Sequence, residues 1–303
     1  MIRLKKMSLR FRIADAFYVA MMIIPIVSGI VLKVLTAPPT EGVSITGARI
    51  FFTIPMPLQD FPVTESQVNS LIVTVVLFFF CLYMTHGLTE KAELRRQHFA
   101  EMIVEKVDGL VNENMGEYFR GFPPFIIAIL GLSALSSLLT LFGLFPPTSD
   151  INIVGGWALL VFVLITYYKM KCGPVHYLKS FTQPVAILTP INLISEIATP
   201  VSMAFRHYGN VLSGSVISVL LGTALAGISS RVLSFMPGFL KDFPLFQIGI
   251  PAVMSLYFDI FSGCLQAFIF AMLTMMYVAG AFDIEYFEKK LAQKRAKKIK
   301  AKN

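Results

Sequence analysis

Six apolar stretches, each long enough to cross a lipid bilayer, constrain the fold of this 303-residue chain more than any other feature. Four have about the length of a single crossing, and two are longer: 13–35, 70–88, 123–145, 154–170, 184–230 and 245–282. A helix of about 20 apolar residues spans a hydrocarbon core roughly 30 Å thick. Because 55% of the residues are apolar and 15% are charged, the chain has more apolar surface than a soluble core could bury. The sequence therefore predicts an all-α integral membrane protein with about six membrane helices.

The positions of the basic residues predict the orientation of the chain. They cluster before the first stretch and after the second, fourth and sixth, at Arg3 to Arg12, Lys91 to Lys106, Lys169 to Lys179 and Lys289 to Lys302. Basic loops favour the cytoplasmic side, so both termini are expected there and residues 36–67 and 146–152 outside. The net charge of +8 thus fits flanks that meet membrane lipid. No recognition module accompanies the basic runs, so nucleic acid is not expected as a partner.

Shorter patterns predict the remaining elements. The first stretch exceeds the roughly 7–15 apolar residues of a secretory signal, which favours a retained helix over a cleaved one. Weak alternation over residues 43–61, together with Pro55, Pro57 and Pro62, predicts a short extended hairpin. Apolar residues at helical spacing in the loop 89–121 predict an amphipathic helix on the membrane surface, with an ordinary solvated helix as the alternative. The three cysteines are far apart and lack a ligand partner at metal spacing, so neither disulfides nor a zinc site is expected.

The fifth stretch carries an arginine between apolar residues. Placing Arg206 at the centre of a bilayer costs about 2.5–3.5 kcal/mol on insertion scales, so it requires a partner or water. On a helical wheel it shares a narrow polar face with Thr199, Ser202, Asn210 and Ser213. Snorkelling of the side chain to a headgroup is the alternative. A helix of about 35–40 residues is roughly 55 Å long and must tilt, bend or break in a bilayer.

The sixth stretch carries a second polar face. On the same wheel, Asp259 aligns with Ser255, Ser262, Gln266 and Tyr277. Desolvation among apolar residues disfavours a charged carboxylate, which makes Asp259 a candidate for exchanging protons. The alternative is a structural aspartate that is bonded to a neighbouring helix.

These two stretches resemble the signature of subunit a of the F-type ATP synthases. In the fifth stretch the matching residues are Pro190–Ile194, Glu196, Pro200–Ser202, Phe205–Arg206, Gly209–Asn210 and Ser213–Gly214. In the sixth they are Leu265–Phe270, Leu273–Met275 and Tyr277, and Pro147–Asn152 also matches before the fourth stretch. The resemblance covers about residues 67 to 285.

The resemblance implies an ion-translocating stator subunit of a rotary ATP synthase in a bacterial plasma membrane. Arg206 would face the carboxylates of a c-subunit ring, between two half-channels that couple the flow of H⁺ or Na⁺ to rotation of the ring. The last two helices would form a long, steeply tilted hairpin against that ring. The b subunits of the peripheral stalk and the rest of the complex are the other implied partners. The chain would be no enzyme by itself and would need no cofactor or metal, because ATP chemistry belongs to partner subunits.

The candidate ion-translocation residues are Arg206, Asp259, Gln266, Asn210, Ser215, Glu196, Asp150, Asn152, Tyr277 and His207. Many family members carry a glutamate where this chain has Ser215, which cannot titrate near neutral pH. Asp259 occupies the position of the family's partner His or Glu, so we expect the acid to have moved across the hairpin. His207 replaces a residue that is usually apolar, and we expect it to pack rather than to relay ions.

Three regions are expected: an extra helix and hairpin at 1–66, the ion-channel domain at 67–288 and a basic cytoplasmic tail at 289–303. A secondary ion-coupled transporter is the alternative function, although two matching halves are not visible in the sequence. A structural membrane adaptor, in which Arg206 and Asp259 would merely pair with each other, is a further alternative.

Overall fold

The architecture is a bundle of long helices with one small hairpin. The computed structural model describes residues 9–36, 47–57, 59–89, 94–182, 185–234, 249–250, 253–254 and 256–300, with the backbone alone for residues 186, 259 and 294–300. The described helices are α1 (Leu9–Leu35), α2 (Glu65–Thr85), α3 (Arg95–Met115), α4 (Pro123–Leu138), α5 (Ile151–Cys172), α6 (Pro174–Phe181), α7 (Thr189–Val232), α8 (Gly263–Gly280) and α9 (Ile284–Lys300). The strands are β1 (Ile50–Ile54) and β2 (Phe61–Thr64). Short 3₁₀ turns lie at Glu117–Phe119, Leu139–Phe142, Pro147–Ser149 and Ala186–Leu188, and a π-helical segment at Leu256–Ser262.

Six helical segments are long and apolar enough to cross a membrane, which confirms the predicted number. They are α1, α2, α4 with its extension to Phe142, α5, α7, and the segment Leu256–Gln293 that contains α8. Local signals set their ends. The Asp150 carboxylate accepts a hydrogen bond from the Asn152 amide and caps α5. At the other end of α5, Gly173 adopts a φ of +151° before Pro174 begins α6.

The two minor elements predicted from the sequence are also present. Strands β1 and β2 pair antiparallel, with Ile50 opposite Thr64 and Ile54 opposite Phe61. Helix α3 is amphipathic, because Val107, Val111 and Met115 are buried at four-residue spacing. This face packs in the same core as α4 and α8. Helix α3 is therefore docked on the bundle rather than being a free loop helix.

The core lies where α3, α4, α5, α7 and α8 meet. Its largest buried apolar side chains include Ile126 of α4, Val161 of α5, Met203 of α7 and Phe270 of α8. Most other apolar side chains of the long helices are exposed or partly exposed. That exposure is expected of helices whose outer faces meet lipid.

Helices α5 and α7 run antiparallel along most of α5. Near the start of α5, Val154 and Ala158 pack against Ala204 of α7. Near its end, Lys169 meets Glu196, which lies earlier in α7. The antiparallel pair therefore orders the polar residues of α7 along the axis of the bundle.

Helix α7 is longer than the predicted 35–40 residues. Its 44 residues correspond to about 66 Å at 1.5 Å per residue, more than twice the hydrocarbon thickness. Pro190 stands in its first turn, and the helix continues through Pro200 without a break. Pro244 and Pro251, the other predicted kink positions, lie outside the described residues.

The start of the sixth membrane segment differs from the predicted α-helix. Residues Leu256–Ser262 are π-helical, and i→i+5 bonding places more residues in each turn than an α-helix has. The α-helical wheel that aligned Asp259 with Gln266 is therefore wrong across this segment. Gln266 and Tyr277 both belong to α8, where the α-helical spacing holds. Ser255 and the side chain of Asp259 lie outside the described part of the chain.

A close contact between α4 and α8 supplies a stability prediction. A Cβ atom at Gly263 would lie 2.5 Å from the Cβ of Ser137, whereas one at Gly156 of α5 would meet nothing within 4 Å. Gly263→Ala should therefore destabilise the chain by about 1–3 kcal/mol through overpacking. Gly156→Ala, the matched control, should be neutral or slightly stabilising because alanine is the better helix former. Thermal unfolding in detergent measures both, and equal melting temperatures would contradict a close contact between Gly263 and Ser137.

Candidate functional site

Helix α7 presents Arg206 on its outer side. Ser202, Asn210 and Ser213 are exposed with it, while Thr199 of the same predicted face is half-buried. The Arg206 side chain makes no hydrogen bond or ion pair with the side chains and backbone that the structure describes. The predicted polar stripe is therefore present on the surface of the bundle. An arginine on such a surface requires an external partner or water.

His207 points the other way, into the core. It is 0% exposed, and its Nε2 lies 3.2 Å from the Ser133 hydroxyl of α4. The rings of Trp157 and Phe270 contact it edge-on, at centroid distances of 6.0 and 5.4 Å. The structure thus separates His207 from Arg206, and its surroundings are those of a packed side chain.

One turn beyond Arg206, a polar contact joins the two long helices. Asn210 donates a hydrogen bond from Nδ2 to Oε1 of Gln266 at 2.6 Å. Gln266 is only 2% exposed, so this bond satisfies a buried amide. Two of the predicted residues therefore meet next to the arginine.

The π-helical segment packs against α7 near Ser215. Gly214 lies close to Phe258, so that an added Cβ would approach the Phe258 side chain to 3.2 Å. This contact places the backbone of Asp259 beside the part of α7 where Ser215 stands. Ser215 itself is exposed and donates to the carbonyl of Val211 in the preceding turn at 3.1 Å. Its hydroxyl is thus satisfied within its own helix.

A cavity opens on the other side of Arg206. It has a volume of about 420 Å³ and lies between α5, α6, α7 and α8, where Lys169, Glu196, Thr199 and Tyr277 contribute to its lining. Glu196 precedes Arg206 by ten residues, or about 15 Å along the helix. The predicted residues Glu196 and Tyr277 therefore line one polar cavity.

An ion pair forms part of this cavity wall. Lys169 Nζ lies 2.5 Å from Glu196 Oε2, and both side chains are largely buried. The hydroxyl of Tyr177 donates to the other carboxylate oxygen at 3.4 Å. Sequence reasoning used Lys169 only as an orientation signal. Its position near the end of an apolar stretch does not reveal which acid it meets.

Breaking this pair should destabilise the chain. Lys169→Met leaves Glu196 partly buried and unpaired, which should cost about 1–3 kcal/mol, between the values for exposed and buried pairs. The double variant Lys169→Met/Glu196→Gln should recover most of the loss, and Lys169→Arg should remain close to the native chain. Thermal unfolding of the four proteins measures this. A double variant as unstable as Lys169→Met would show that the pairing is unimportant.

The remaining predicted residues, Asp150 and Asn152, lie at the opposite end of the bundle. Asp150 accepts the Asn152 amide at 2.9 Å and also a hydrogen bond from the Ser66 hydroxyl, which joins α2 to the start of α5. Asn152 is exposed. The neighbouring Glu65 is 3% exposed, and sequence reasoning missed it. An acid a few residues before an apolar stretch was the available signal.

The comparison with known proteins decides the family. The family model described as ATP synthase A chain matches residues 68–279, which is more than half of the chain. The chain belongs to this family.

Individual members of the family resemble this chain over most of their length. The ATP synthase subunit a of Priestia megaterium is 33% identical over 231 residues, or 71% of this chain and 92% of that protein. The subunit a of Desulforamulus reducens is 34% identical over 222 residues, 71% of this chain and 78% of the relative. A protein of Propionigenium modestum named as sodium ion specific subunit a is 28% identical over 277 residues, 80% and 88% of the two chains.

The family match covers the candidate site. It begins after α1 and the β-hairpin and ends at the last turn of α8. Arg206, Asn210, Gln266, the Glu196 cavity and Asp150 all lie inside it. Helices α1 and α9 lie outside it.

Proposed function

We propose that this chain is the ion-translocating stator subunit of a rotary ATP synthase and that Arg206 faces the carboxylates of a c-subunit ring. The observation that carries the proposal is the exposure of Arg206, unpaired within the described residues, on a polar stripe of the longest membrane helix. A guanidinium group holds its proton very tightly, so it remains charged even when it is partly desolvated. It therefore attracts each arriving ring carboxylate and favours release of the ion that the carboxylate carries.

Polar features on both sides of Arg206 support two offset half-channels. On one side lie the Asn210–Gln266 bond and the π-helical segment that carries Asp259. On the other side lies the cavity with Glu196 and Tyr277. A positive charge between them opposes direct passage of a cation, so ions have to travel on the ring. Each 100 mV of membrane potential supplies about 2.3 kcal/mol per charge that crosses.

The basic residues support a direction for this path. Lys169, Lys171 and Lys179 lie at the end of the bundle that holds the cavity, and the positive-inside rule favours the cytoplasmic side for that end. Ions then enter from the end with Asp150 and Asn152 and leave through the Glu196 cavity during ATP synthesis. Both termini are cytoplasmic in this arrangement, in the plasma membrane of a bacterium.

The acid of the entrance path lies on the sixth membrane segment in this proposal. Ser215 bonds its own helix and cannot titrate near neutral pH, while the backbone of Asp259 lies beside it across the contact of Gly214 with Phe258. Asp259 then performs the proton or ion exchange that a glutamate at the Ser215 position performs in other members. The b subunits of the peripheral stalk complete the stator.

ATP-driven ion pumping in vesicles that contain the assembled complex tests this function. Pumping should require the chain, stop when the c-ring carboxylates are blocked, and respond to Na⁺ or to a protonophore according to the ion that is carried. A complex lacking the chain is the control. Ion movement catalysed by the purified chain alone, without ATP or ring, would instead establish a secondary transporter.

A further inference from the structure

Helix α1, which lies outside the family match, is attached to the bundle by charged groups near both ends. Near its start, the Asp15 carboxylate pairs with Arg96 of α3 at 2.8 Å and with the His86 ring at 3.0 Å. Near its end, Lys33 Nζ lies 3.7 Å from the Glu65 carboxylate and donates a hydrogen bond to the carbonyl of Gly143. A helix that made only apolar contacts with lipid would need neither of these charged contacts.

The Lys33 attachment reaches a site with unmet hydrogen-bonding groups. Glu65 is 3% exposed and Thr148 is 0% exposed. Among the described residues, Oε1 of Glu65 and the hydroxyl of Thr148 are buried without a hydrogen-bond partner, as are the Ser149 hydroxyl and Nη1 of Arg49. Buried polar atoms in folded proteins nearly always have partners, so these atoms indicate a position for bound water or a small cation.

Contacts between neighbouring segments bring the residues that carry these groups together. Thr148 and Ser149 belong to the 3₁₀ turn that packs against α2. The adjacent Asp150 accepts the hydroxyl of Ser66, the residue that follows Glu65. The carbonyl of Arg49 accepts the Glu65 amide at 2.7 Å. We call Lys33, Arg49, Glu65, Thr148, Ser149 and Asp150 the Glu65 cluster.

The charges of the Glu65 cluster balance only when Lys33 is present. The charged groups placed around Glu65 are Lys33 from α1, Arg49 from the segment before β1 and Asp150 from the start of α5. Helix α4 and the 3₁₀ turn contribute uncharged residues alone. Lys33 is the cation within ion-pair distance of Glu65 in the described residues. Its bond to Gly143 also connects α1 to the loop that leads to Thr148 and Asp150.

We propose that the Glu65 cluster is a hydrated site in the entrance half-channel and that Lys33 of α1 is its positioning residue, which holds the Glu65 carboxylate where entering ions pass. This inference rests on the proposed function, because the cluster lies at the end of the bundle from which ions enter. Helix α1 thereby becomes a working part of the ion path and not only a membrane anchor. A buried carboxylate that loses its cation is strongly destabilised, so Glu65 then no longer keeps this position.

Chemical replacement of the lysine tests the proposal. In a background with Cys81, Cys172 and Cys264 changed to serine, Lys33→Cys should lower ATP-driven pumping roughly fivefold or more. Intact cells are treated with aminoethyl or sulfonatoethyl methanethiosulfonate before vesicles are prepared. The aminoethyl reagent rebuilds a lysine-like cation and should restore pumping, whereas the sulfonatoethyl reagent adds an anion and should not. The amount of chain in the complex is measured each time.

Two further variants separate this role from simple docking of α1. Asp15→Asn weakens the pairs with Arg96 and His86 at the other end of α1 without touching the Glu65 cluster. Its pumping should stay close to native because that end of α1 lies outside the proposed ion path. Lys33→Arg keeps the charge and should pump like the native chain. The inference is overturned if Lys33→Cys pumps normally, if both reagents restore it equally, or if Asp15→Asn is equally impaired. Native pumping that depends on Arg206 would leave the proposed function intact in each of these cases.

Discussion

Arg206→Ala is expected to abolish ATP-driven ion pumping and ATP synthesis in the assembled complex. Without the guanidinium, nothing on the α7 stripe attracts a ring carboxylate or opposes the direct passage of cations between the half-channels. Vesicles stripped of the catalytic head should therefore become leaky to the coupling ion. Pumping is measured by a fluorescent pH or Na⁺ indicator, and passive leak by the decay of an imposed gradient.

Two arginine controls sharpen this experiment. Arg231→Ala removes an exposed arginine from the last turn of the same helix, and pumping should remain native. Arg206→Lys keeps a charge but loses the planar guanidinium, and an ammonium loses its proton more readily when desolvated. We expect this variant to pump far less than native with a smaller leak than Arg206→Ala. Native pumping by Arg206→Ala would mean that the arginine is structural.

Asp259→Asn is expected to abolish coupled transport, while Ser215→Ala should leave it within about twofold of native. The asparagine cannot exchange a proton and carries no charge for an entering cation. Ser215 loses only a hydroxyl that bonds its own helix. The measurement is ATP-driven pumping, with complex assembly checked for each variant.

A compensating variant tests whether the acid has moved across the hairpin. Ser215→Glu places a carboxyl where many family members have one, so Asp259→Asn/Ser215→Glu should recover part of the transport that Asp259→Asn loses. Recovery by the uncharged Asp259→Asn/Ser215→Gln would contradict this explanation. A severe loss in Ser215→Ala together with a mild loss in Asp259→Asn would also contradict it.

Features that depend on residue periodicity could be predicted from the sequence. The apolar stretches predicted the membrane helices. The rotation of 100° per residue in an α-helix predicted that Arg206 shares an exposed stripe with Ser202 and Asn210. These are local properties, because the spacing of residues along one helix determines them.

Features that depend on the packing of one helix against another could not be predicted. The wheel places His207 about 100° from Arg206, but only the arrangement of α4, α5 and α8 shows that Ser133, Trp157 and Phe270 surround it. The pair of Lys169 with Glu196 joins residues 27 positions apart.

Two other discrepancies have different causes. The π-helical segment changed the face on which Asp259 was placed, since the wheel assumes α-helical spacing throughout. Glu65 was missed because an acid is also favourable in the first turn of a helix, where Glu65 stands. Its ion pair with Lys33 of α1 depends on how the two helices pack, which the sequence does not show.

Cysteine crosslinking between α7 and the c-subunit ring tests the central claim most directly. Ser202→Cys and Ser213→Cys lie on the stripe with Arg206, whereas Val201→Cys is exposed but lies about 140° from Arg206 around the helix. With a second cysteine one turn from the ring carboxylate, both stripe positions should form disulfides with the c subunit in assembled complexes, and Val201→Cys should not. Crosslinks at Val201 alone, or none at the stripe positions, would contradict the placement of Arg206 against the ring.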